Sequence, residues 1–399
     1  MSTHPTFKYL DDALHCESVS LAALAAEFGT PLYVYSAERL RQNYQRVARV
    51  FAPLRPLICY AVKANANGAL LALLRQQGAG FDIVSGGELH RVLRAGAEPA
   101  RIVFAGVGKT EAELEMAVQA KVRWINVESQ GELERLNAVA AHHRARPTVA
   151  IRLRPDVDAA THRHISTGSA AGKFGLPVSH ALELVAHSRA LPHVHIRGAH
   201  IHIGSQLANP QATLQAIEVA LDFIAQANAR GAEIDTLDLG GGFPVPYRDD
   251  DPVPDLDTFA APIVARLARS GLEHFHIEPG RAIVADTAAL LTTVQYEKED
   301  AGHRIVIVDA GMHTLLRPAL YEAYHRVCAV AHHSDSPLTL ADVAGPICES
   351  ADFLARARPL PPLASGDLLA LLDVGAYGAA MASNYNSHPL PAEALVEGH

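Results

Sequence analysis

The chain has 399 residues, beyond the length that one hydrophobic core usually serves, so a large domain with a smaller companion is expected. Hydrophobic residues at 49% and charged residues at 19% are an ordinary globular balance, and the formal net charge of -9 argues against nucleic acid or an anionic membrane surface and for small-molecule partners. The opening MSTHPTFKYLDD has no basic segment followed by an apolar run, and no long apolar stretch occurs elsewhere, so neither export nor membrane spanning is expected and the cytoplasm is the expected location.

After a polar opening, Leu21 to Phe28 reads as a short amphipathic helix stopped by Gly29, and Thr30 to Ser36 as a strand. Apolar strand candidates then recur at Leu57 to Val62, Phe81 to Val84, Ile102 to Phe104, Trp124 to Val127, Val149 to Leu153, Ile196 to Ile203, Leu237 to Leu239 and Phe275 to Ile277. Between them lie helix-period patterns, among them ALLALLRQQG, GELHRVLRAG, EAELEMAVQA, QGELERLNAVAAHH and TLQAIEVALDFIAQANARG. Eight strands, each followed by a helix, predict an α/β fold, a (β/α)8 TIM barrel over residues 29–286. A doubly wound open sheet would instead be dominated by one glycine-rich turn near its start, whereas here the polar strand ends are spread along the series. From Ala288 the pattern changes to RIVIVDAG, HRVCAVA, LTLADVAGPIC and DLLALLDVGAYG, short strand-like runs parted by Gly, Pro and Asp. These predict a C-terminal all-β domain, sandwich- or barrel-like, made of residues 287–399 together with residues 1–28.

Catalytic groups of such barrels gather at the C-terminal ends of the strands. Lys63 follows the first strand, Asp82 with Ser85 and Glu88 the second, Arg152 and Arg154 lie in the fifth, His202 and Ser205 the sixth, Gly240, Gly241 and Gly242 the seventh, and Glu278, Pro279, Gly280 and Arg281 the eighth. Taken alone, Lys63 reads as a solvated strand-end lysine. In a partly dry pocket its amine would be freed as a nucleophile, able to form a Schiff base with an aldehyde. The glycines of LDLGGGFP, and Gly280 after Pro279 in EPGR, let backbone N–H groups approach a phosphate. Glu278 is placed to pair with a protonated ring nitrogen, and His202 to stack on a ring face. A lysine for an aldehyde, a glycine nest for a phosphate and a carboxylate for a pyridinium together describe a pyridoxal 5'-phosphate site.

The motifs YAVKAN, HIHIGSQ, LGGGFP, IEPGR, DAGM with LRPALYEAYH, GPICESADF and GAYGAAMASNYN, in this order over nearly the whole chain, closely resemble the diaminopimelate decarboxylases, of the alanine-racemase-like fold type of pyridoxal-phosphate enzymes. The resemblance implies that Lys63 carries the cofactor and that His202 stacks against it. It further implies that Asp82, Ser205, Gly240 to Gly242, Pro279, Gly280, Arg281 and Tyr377 contribute to cofactor binding, and that Glu278 holds the pyridine nitrogen. Substrate contacts map onto Arg281, Arg317, Tyr321, Glu349 and Tyr377, with Cys348 as proton donor beside the catalytic Lys63 and His202. The family's CES loop reaches into the partner subunit's site, which implies a homodimer with shared active sites. The implied reaction is decarboxylation of meso-2,6-diaminopimelate to L-lysine and carbon dioxide, the last step of lysine biosynthesis.

That assignment has its own physical logic. Diaminopimelate carries an amino acid group at each end, so its distal carboxylate needs arginines and a tyrosine and its distal ammonium an acid, here Glu349. Ornithine and lysine present only an ammonium there and would want no arginine, so Arg317 favours diaminopimelate; the plainer reading of Arg317 is a surface salt bridge. The alternatives are a related decarboxylase of another diamino acid or of a siderophore or polyamine intermediate, a racemase on the same barrel, and a catalytically silent homologue. Of the cysteines, Cys16, Cys59 and Cys328 are expected to be packing residues. The alternate histidines His162 and His164, His193 and His195, His200 and His202, and His274 and His276 lack a cysteine or carboxylate cluster in sequence, so no metal site is expected. The chain departs from the family pattern in THRHISTGSAAGKFG and at His313 and Thr314, near the expected substrate entry or dimer contact. Its end at LVEGH predicts an unpaired strand edge.

Overall fold

The computed structural model describes residues 4–157, 173–300, 302–331 and 336–398, which divide into two compact units. The departure at residues 161–172, with His162 and His164, lies outside the described residues. One unit contains residues 44–245 and 252–282; the other contains residues 1–43, 246–251 and 283–399.

The first unit is a closed parallel barrel of eight strands taken in chain order, Leu57–Ala61, Gly80–Ile83, Ile102–Phe104, Trp124–Val127, Thr148–Leu153, His195–Ile201, Thr236–Asp238 and His274–Ile277. The ring closes where His276 and Ile277 pair with Leu57 and Ile58. All the expected strands form because each is a short run buried on both faces, the pattern that parallel strands under helices require. The helix expected after the last strand is only a turn, Arg281–Val284. At the end of the helix Ala37–Phe51, Phe51 packs on Phe243 at 5.3 Å between ring centroids, and Phe243 on Phe259 at 6.2 Å.

The barrel interior is layered. Cys59, Val103, Trp124 and Ala150 form a buried apolar cluster from four different strands. Gly198 on a fifth strand makes room for it, since a Cβ there would lie 2.9 Å from the Ala150 Cβ and 3.0 Å from the Trp124 ring. Nearer the C-terminal ends of the strands the interior turns polar, with Asp82, Asn126, Arg152, His200, Asp238 and Glu278 all buried.

The second unit is mostly β. Its organising element is the strand Ala288–Asp300, whose first half pairs with Leu32–Ser36 on one side and Leu368–Leu372 on the other, and whose second half pairs with His303–Val308. A register shift between Val294 and Tyr296 separates the halves. Thr339–Ala344 and Phe353–Leu360 extend the sheet beyond His303–Val308, and Val327–Ala329 extends it beyond Leu368–Leu372. The chain's final strand, Ala392–Val396, pairs in parallel with Leu32–Ser36. The polar opening is structured too, as an antiparallel sheet of Phe7–Leu10, Ala13–Cys16 and Val19–Ser20. Its first turn is made by Asp11 and Asp12, both at positive φ. Strands this short hold too few residues for a period to show.

The apolar face of this unit gathers Leu32, Val34, Leu291, Leu372 and Val396 around Leu21 and Leu24 of the helix Leu21–Phe28. Truncating the fully buried Leu291 to alanine is expected to lower stability by about 2–5 kcal/mol, read as a shift of the urea unfolding midpoint.

Candidate active site

Lys63 leaves the first barrel strand in a single turn, Val62–Ala64, with its side chain 35% exposed. It is not the dry, uncompensated amine that burial alone would produce: its Nζ lies 2.5 Å from Oδ2 of Asp82, which is fully buried on the next strand. Burial, then the nearby Glu278 charge, push the Asp82 carboxyl up to about 7, while Lys63 pulls it back down.

Glu278 ends the eighth strand inside the barrel. Its Oε2 lies 3.3 Å from His200 Nε2, and its Oε1 accepts a hydrogen bond from Asn126 Nδ2 at 3.5 Å. Burial opposes its charge, but His200, Lys63 and a hydrogen bond from Asp238 outweigh that and hold the carboxyl well below its ordinary range. Asp238 moves the other way. Burial first, then the Glu278 charge, raise its carboxyl well above the usual value, so the pair divides into an ionised Glu278 and a protonated Asp238. The expectation that no carboxylates accompany the paired histidines is therefore overturned at His200, whose ring shares one cluster with Asp238 and Glu278. Parallel pairing of adjacent strands, His200 opposite Asp238 and Asp238 opposite His276, brings these distant residues together.

His202 follows the sixth strand. Its Nδ1 accepts a hydrogen bond from the Gly241 amide at 3.2 Å. Desolvation first, then the charges of Arg152 and Lys63, push it well below its usual range, so the ring is neutral with its proton on Nε2. The Gly240–Gly242 turn lies against neighbouring backbone: a Cβ on Gly241 would come within 2.4 Å of the Glu278 carbonyl oxygen, and one on Gly242, at φ +96, within 2.6 Å of the Gly204 carbonyl oxygen. Pro279 accepts a hydrogen bond from the Ala61 amide at 3.2 Å, and a Cβ on Gly280 would meet Ala61 and Ala64 at 3.0 Å. Arg281 donates from Nη2 to Ser205 Oγ at 3.1 Å. Among the described residues the amides of Gly242 and Gly280 have no hydrogen-bond partner, whereas those of Gly240 and Gly241 are taken by Asp238 and His202. Partnerless amides on side-chain-free turns, together with a serine hydroxyl and a guanidinium, are the donor set a phosphate requires.

Other strand-end residues have structural duties. Ser85 Oγ caps the following helix by accepting from the Glu88 amide at 3.2 Å, and Glu88 accepts from the Val84 amide at 2.7 Å. Arg152 is bound to Glu128 at 2.9 Å, and Arg154 to Asp156 at 3.1 Å.

The β unit carries the rest of the expected residues. Arg317 opens the short helix Arg317–Tyr321 and is buried, at 6% exposure, so it is no surface salt bridge. Its Nη1 lies 3.0 Å from His325 Nε2, and its guanidinium stands 4.7 Å over the Tyr247 ring. Tyr321 is half-buried near the end of that helix. Tyr377 adopts φ 58, flanked by Gly375 and Gly378, where a Cβ would collide with the carbonyl oxygens of Val284 and Val374. Cys348 is exposed and its amide donates to Asn386 Oδ1 at 3.2 Å, while Glu349 accepts a hydrogen bond from the Tyr385 hydroxyl. His313 and Thr314 are buried within the unit, where Thr314 closes a turn on the Gly311 carbonyl at 2.9 Å and its own carbonyl accepts from the Tyr33 hydroxyl at 2.7 Å. Their departure from the family pattern is thus absorbed by the core.

Residues 37–285 match the family model of the pyridoxal-dependent decarboxylases, pyridoxal binding domain. The diaminopimelate decarboxylase of Neisseria meningitidis serogroup A is 46% identical over 386 residues, covering 97% of this chain and 94% of its own length. The chain belongs to the diaminopimelate decarboxylase family. Among solved structures, diaminopimelate decarboxylase from M. jannaschii in co-complex with L-lysine superposes with a TM-score of 0.92 at 36% identity, over 98% of this chain and 93% of that one. The Helicobacter pylori enzyme complexed with L-lysine gives a TM-score of 0.89 at 37% identity, with 94% of each chain covered. Membership makes the chain a pyridoxal-phosphate-dependent carboxy-lyase, and the donor set above fits that cofactor.

Sequence reasoning missed Asp238 and Asn126, and considered His200 only as half of a histidine pair that it set aside. Charged or amide residues inside otherwise apolar strands were the available signal.

The raised Asp82 carboxyl has a pH consequence. Between the ordinary aspartate value of about 4 and about 7, the folded chain holds a proton that the unfolded chain has released, so this group's contribution to stability falls as pH rises through that window. Asp82→Asn is expected to remove that slope. Urea midpoints of the apoprotein at pH 5 and pH 7.5 check it, the variant gaining on the wild type at the higher pH.

Proposed function

We propose that the chain decarboxylates meso-2,6-diaminopimelate to L-lysine and carbon dioxide, with pyridoxal 5'-phosphate carried on Lys63. The observation that carries the choice of substrate is Arg317, a buried guanidinium on the β unit that stacks on Tyr247 rather than pairing at the surface. L-lysine bound to two structural relatives supports the same choice, being what remains of diaminopimelate after one carboxylate is lost.

When bound, pyridoxal phosphate supplies the electron sink that makes loss of carbon dioxide from an α-carbon feasible. The chain's residues do the rest. Asp82 stands ready to take a proton from the Lys63 ammonium, since its carboxyl titrates near neutrality at about 7, and so to release the nucleophilic amine. Ionised Glu278 keeps a ring nitrogen protonated by accepting its hydrogen bond. Neutral His202, fixed by the Gly241 amide, offers an uncharged ring face. Ser205, Gly242, Gly280 and Arg281 hold the phosphate. Arg317, with Arg281, Tyr321 and Tyr377, holds the distal carboxylate, Glu349 holds the distal ammonium, and the Cys348 thiol returns a proton to the carbon that lost its carboxylate.

We further infer a homodimer with shared sites: the loop bearing Cys348 and Glu349 is exposed, as are Tyr296, Leu338 and Leu340 on the same unit. Among the described residues no helix is long and apolar enough to cross a membrane, and the cytoplasm is the proposed compartment.

The test is carbon dioxide release by the holoprotein from meso-diaminopimelate, beside ornithine and lysine. Arg317→Met is expected to lower kcat/KM for diaminopimelate by about two to three orders of magnitude, and Arg317→Lys by less, because lysine keeps the charge and loses the fork. Release from ornithine or lysine in preference to diaminopimelate, or an unimpaired Arg317→Met variant, would overturn the assignment.

A further inference from the structure

The barrel carries a cavity at the opposite end of its strands from Lys63 and Glu278. It measures about 580 Å³, within the range of small-molecule sites, and its lining includes Gln119, Lys121, Arg123, Arg144, Arg146 and Thr148. The four cations come from two successive loops. Lys121 and Arg123 join the helix Glu111–Gln119 to the strand beginning at Trp124, and Arg144 and Arg146 join the helix Gln130–His142 to the strand beginning at Thr148.

Two features set this cluster apart. On a chain of net charge -9, arginines elsewhere are commonly bound to acids, as Arg39 is to Asp286, Arg197 to Asp235 and Arg304 to Glu297. Among the described residues none of the four cavity cations has a carboxylate partner, and Glu115, the acid beside the cavity residue His143, is already engaged by that ring at 3.0 Å. The second feature is backbone. Lys121 at φ 61 and Arg144 at φ 52 occupy left-handed positions just past their helices, where the helices ending near Gly78, Gly96 and Gly231 use glycine. Glycine takes this conformation without the steric cost a side chain incurs, so these loops hold cations where relief was available.

The plainer reading is that the cations neutralise the helix C-termini. The backbone already does so: Lys121 N donates to Val118 O at 3.0 Å and Val122 N to Ala117 O at 2.9 Å, and Arg144 N and Ala145 N do the same for Ala141 O and Ala140 O. Arg146 Nε donates to the Val194 carbonyl at 3.5 Å, which leaves its terminal nitrogens, with the side chains of Lys121, Arg123 and Arg144, available to a ligand.

We propose that this cavity binds a small polyanion carrying phosphate or carboxylate groups, at a site separate from the catalytic end of the barrel. Guanidinium forks from Arg123 and Arg146 supply paired donors, and Lys121 and Arg144 supply further charge. The test is isothermal titration of the holoprotein, whose phosphate cradle is filled by its own cofactor, with tripolyphosphate, citrate and inorganic phosphate. One saturable site per chain is expected. It should weaken about tenfold or more in the double variant Arg123→Gln, Arg146→Gln, while Lys298→Gln on the β unit leaves it unchanged. Melting curves and Trp124 emission check that the variants are folded. Preference for tripolyphosphate over citrate assigns a phosphate-bearing ligand, and the reverse a polycarboxylate. Affinity weaker than roughly 10 mM for all three anions, or equal binding by the double variant, overturns the proposal.

Discussion

A carboxylate kept ionised inside a barrel is the constraint around which this chain is built. Glu278 is buried at 5% exposure, where a lone charge would be expelled or protonated. It survives as a charge because His200, Asn126 and the proton of Asp238 converge on it from three other strands. None of these residues is near Glu278 in sequence. Only a closed ring of parallel strands, with inward-pointing residues at matching heights, brings them within hydrogen-bond reach.

The same closure explains the layering beneath. An interior that is polar at one end must be sealed at the other, and Cys59, Val103, Trp124 and Ala150 form that seal. The strand-end glycines follow from the crowding above. Gly240, Gly241 and Gly242 sit where backbone from adjacent turns approaches too closely for a Cβ, Gly280 lies tight against the Ala61 and Ala64 side chains, and among the described residues the amides of Gly242 and Gly280 have no hydrogen-bond partner. The restriction that demands glycine also prepares the anion cradle.

The β unit solves a different problem. Arg317 is a buried cation supported by a histidine, a tyrosine ring and the short helix it begins, and Tyr377 holds a left-handed conformation between two glycines that cannot be replaced without collision. The long strand Ala288–Asp300 gives these loops a common frame by pairing with neighbours along both of its halves. Strained and buried polar groups of this kind persist only where the surrounding structure over-determines them.

Much of this was legible in the sequence. The eight apolar runs marked the barrel strands within a residue or two, because strands buried on both faces are mostly apolar. Lys63, Glu278 and the glycine turns were readable from their place at strand ends. The motifs of Arg317, Cys348 and Tyr377 placed them in a family pattern, without showing that Arg317 is buried or that Tyr377 is held left-handed. Tertiary structure alone decided the rest. It paired Lys63 with Asp82, it split Asp238 and Glu278 into a protonated and an ionised carboxyl, and it set His200 among carboxylates where its sequence neighbours had suggested none. It also turned Ser85 and Glu88 into a helix cap, and it buried His313 and Thr314. Each of these depends on which strands lie side by side. A run of apolar residues records its own burial, whereas a charge's fate is written in residues that only closure of the barrel brings to it.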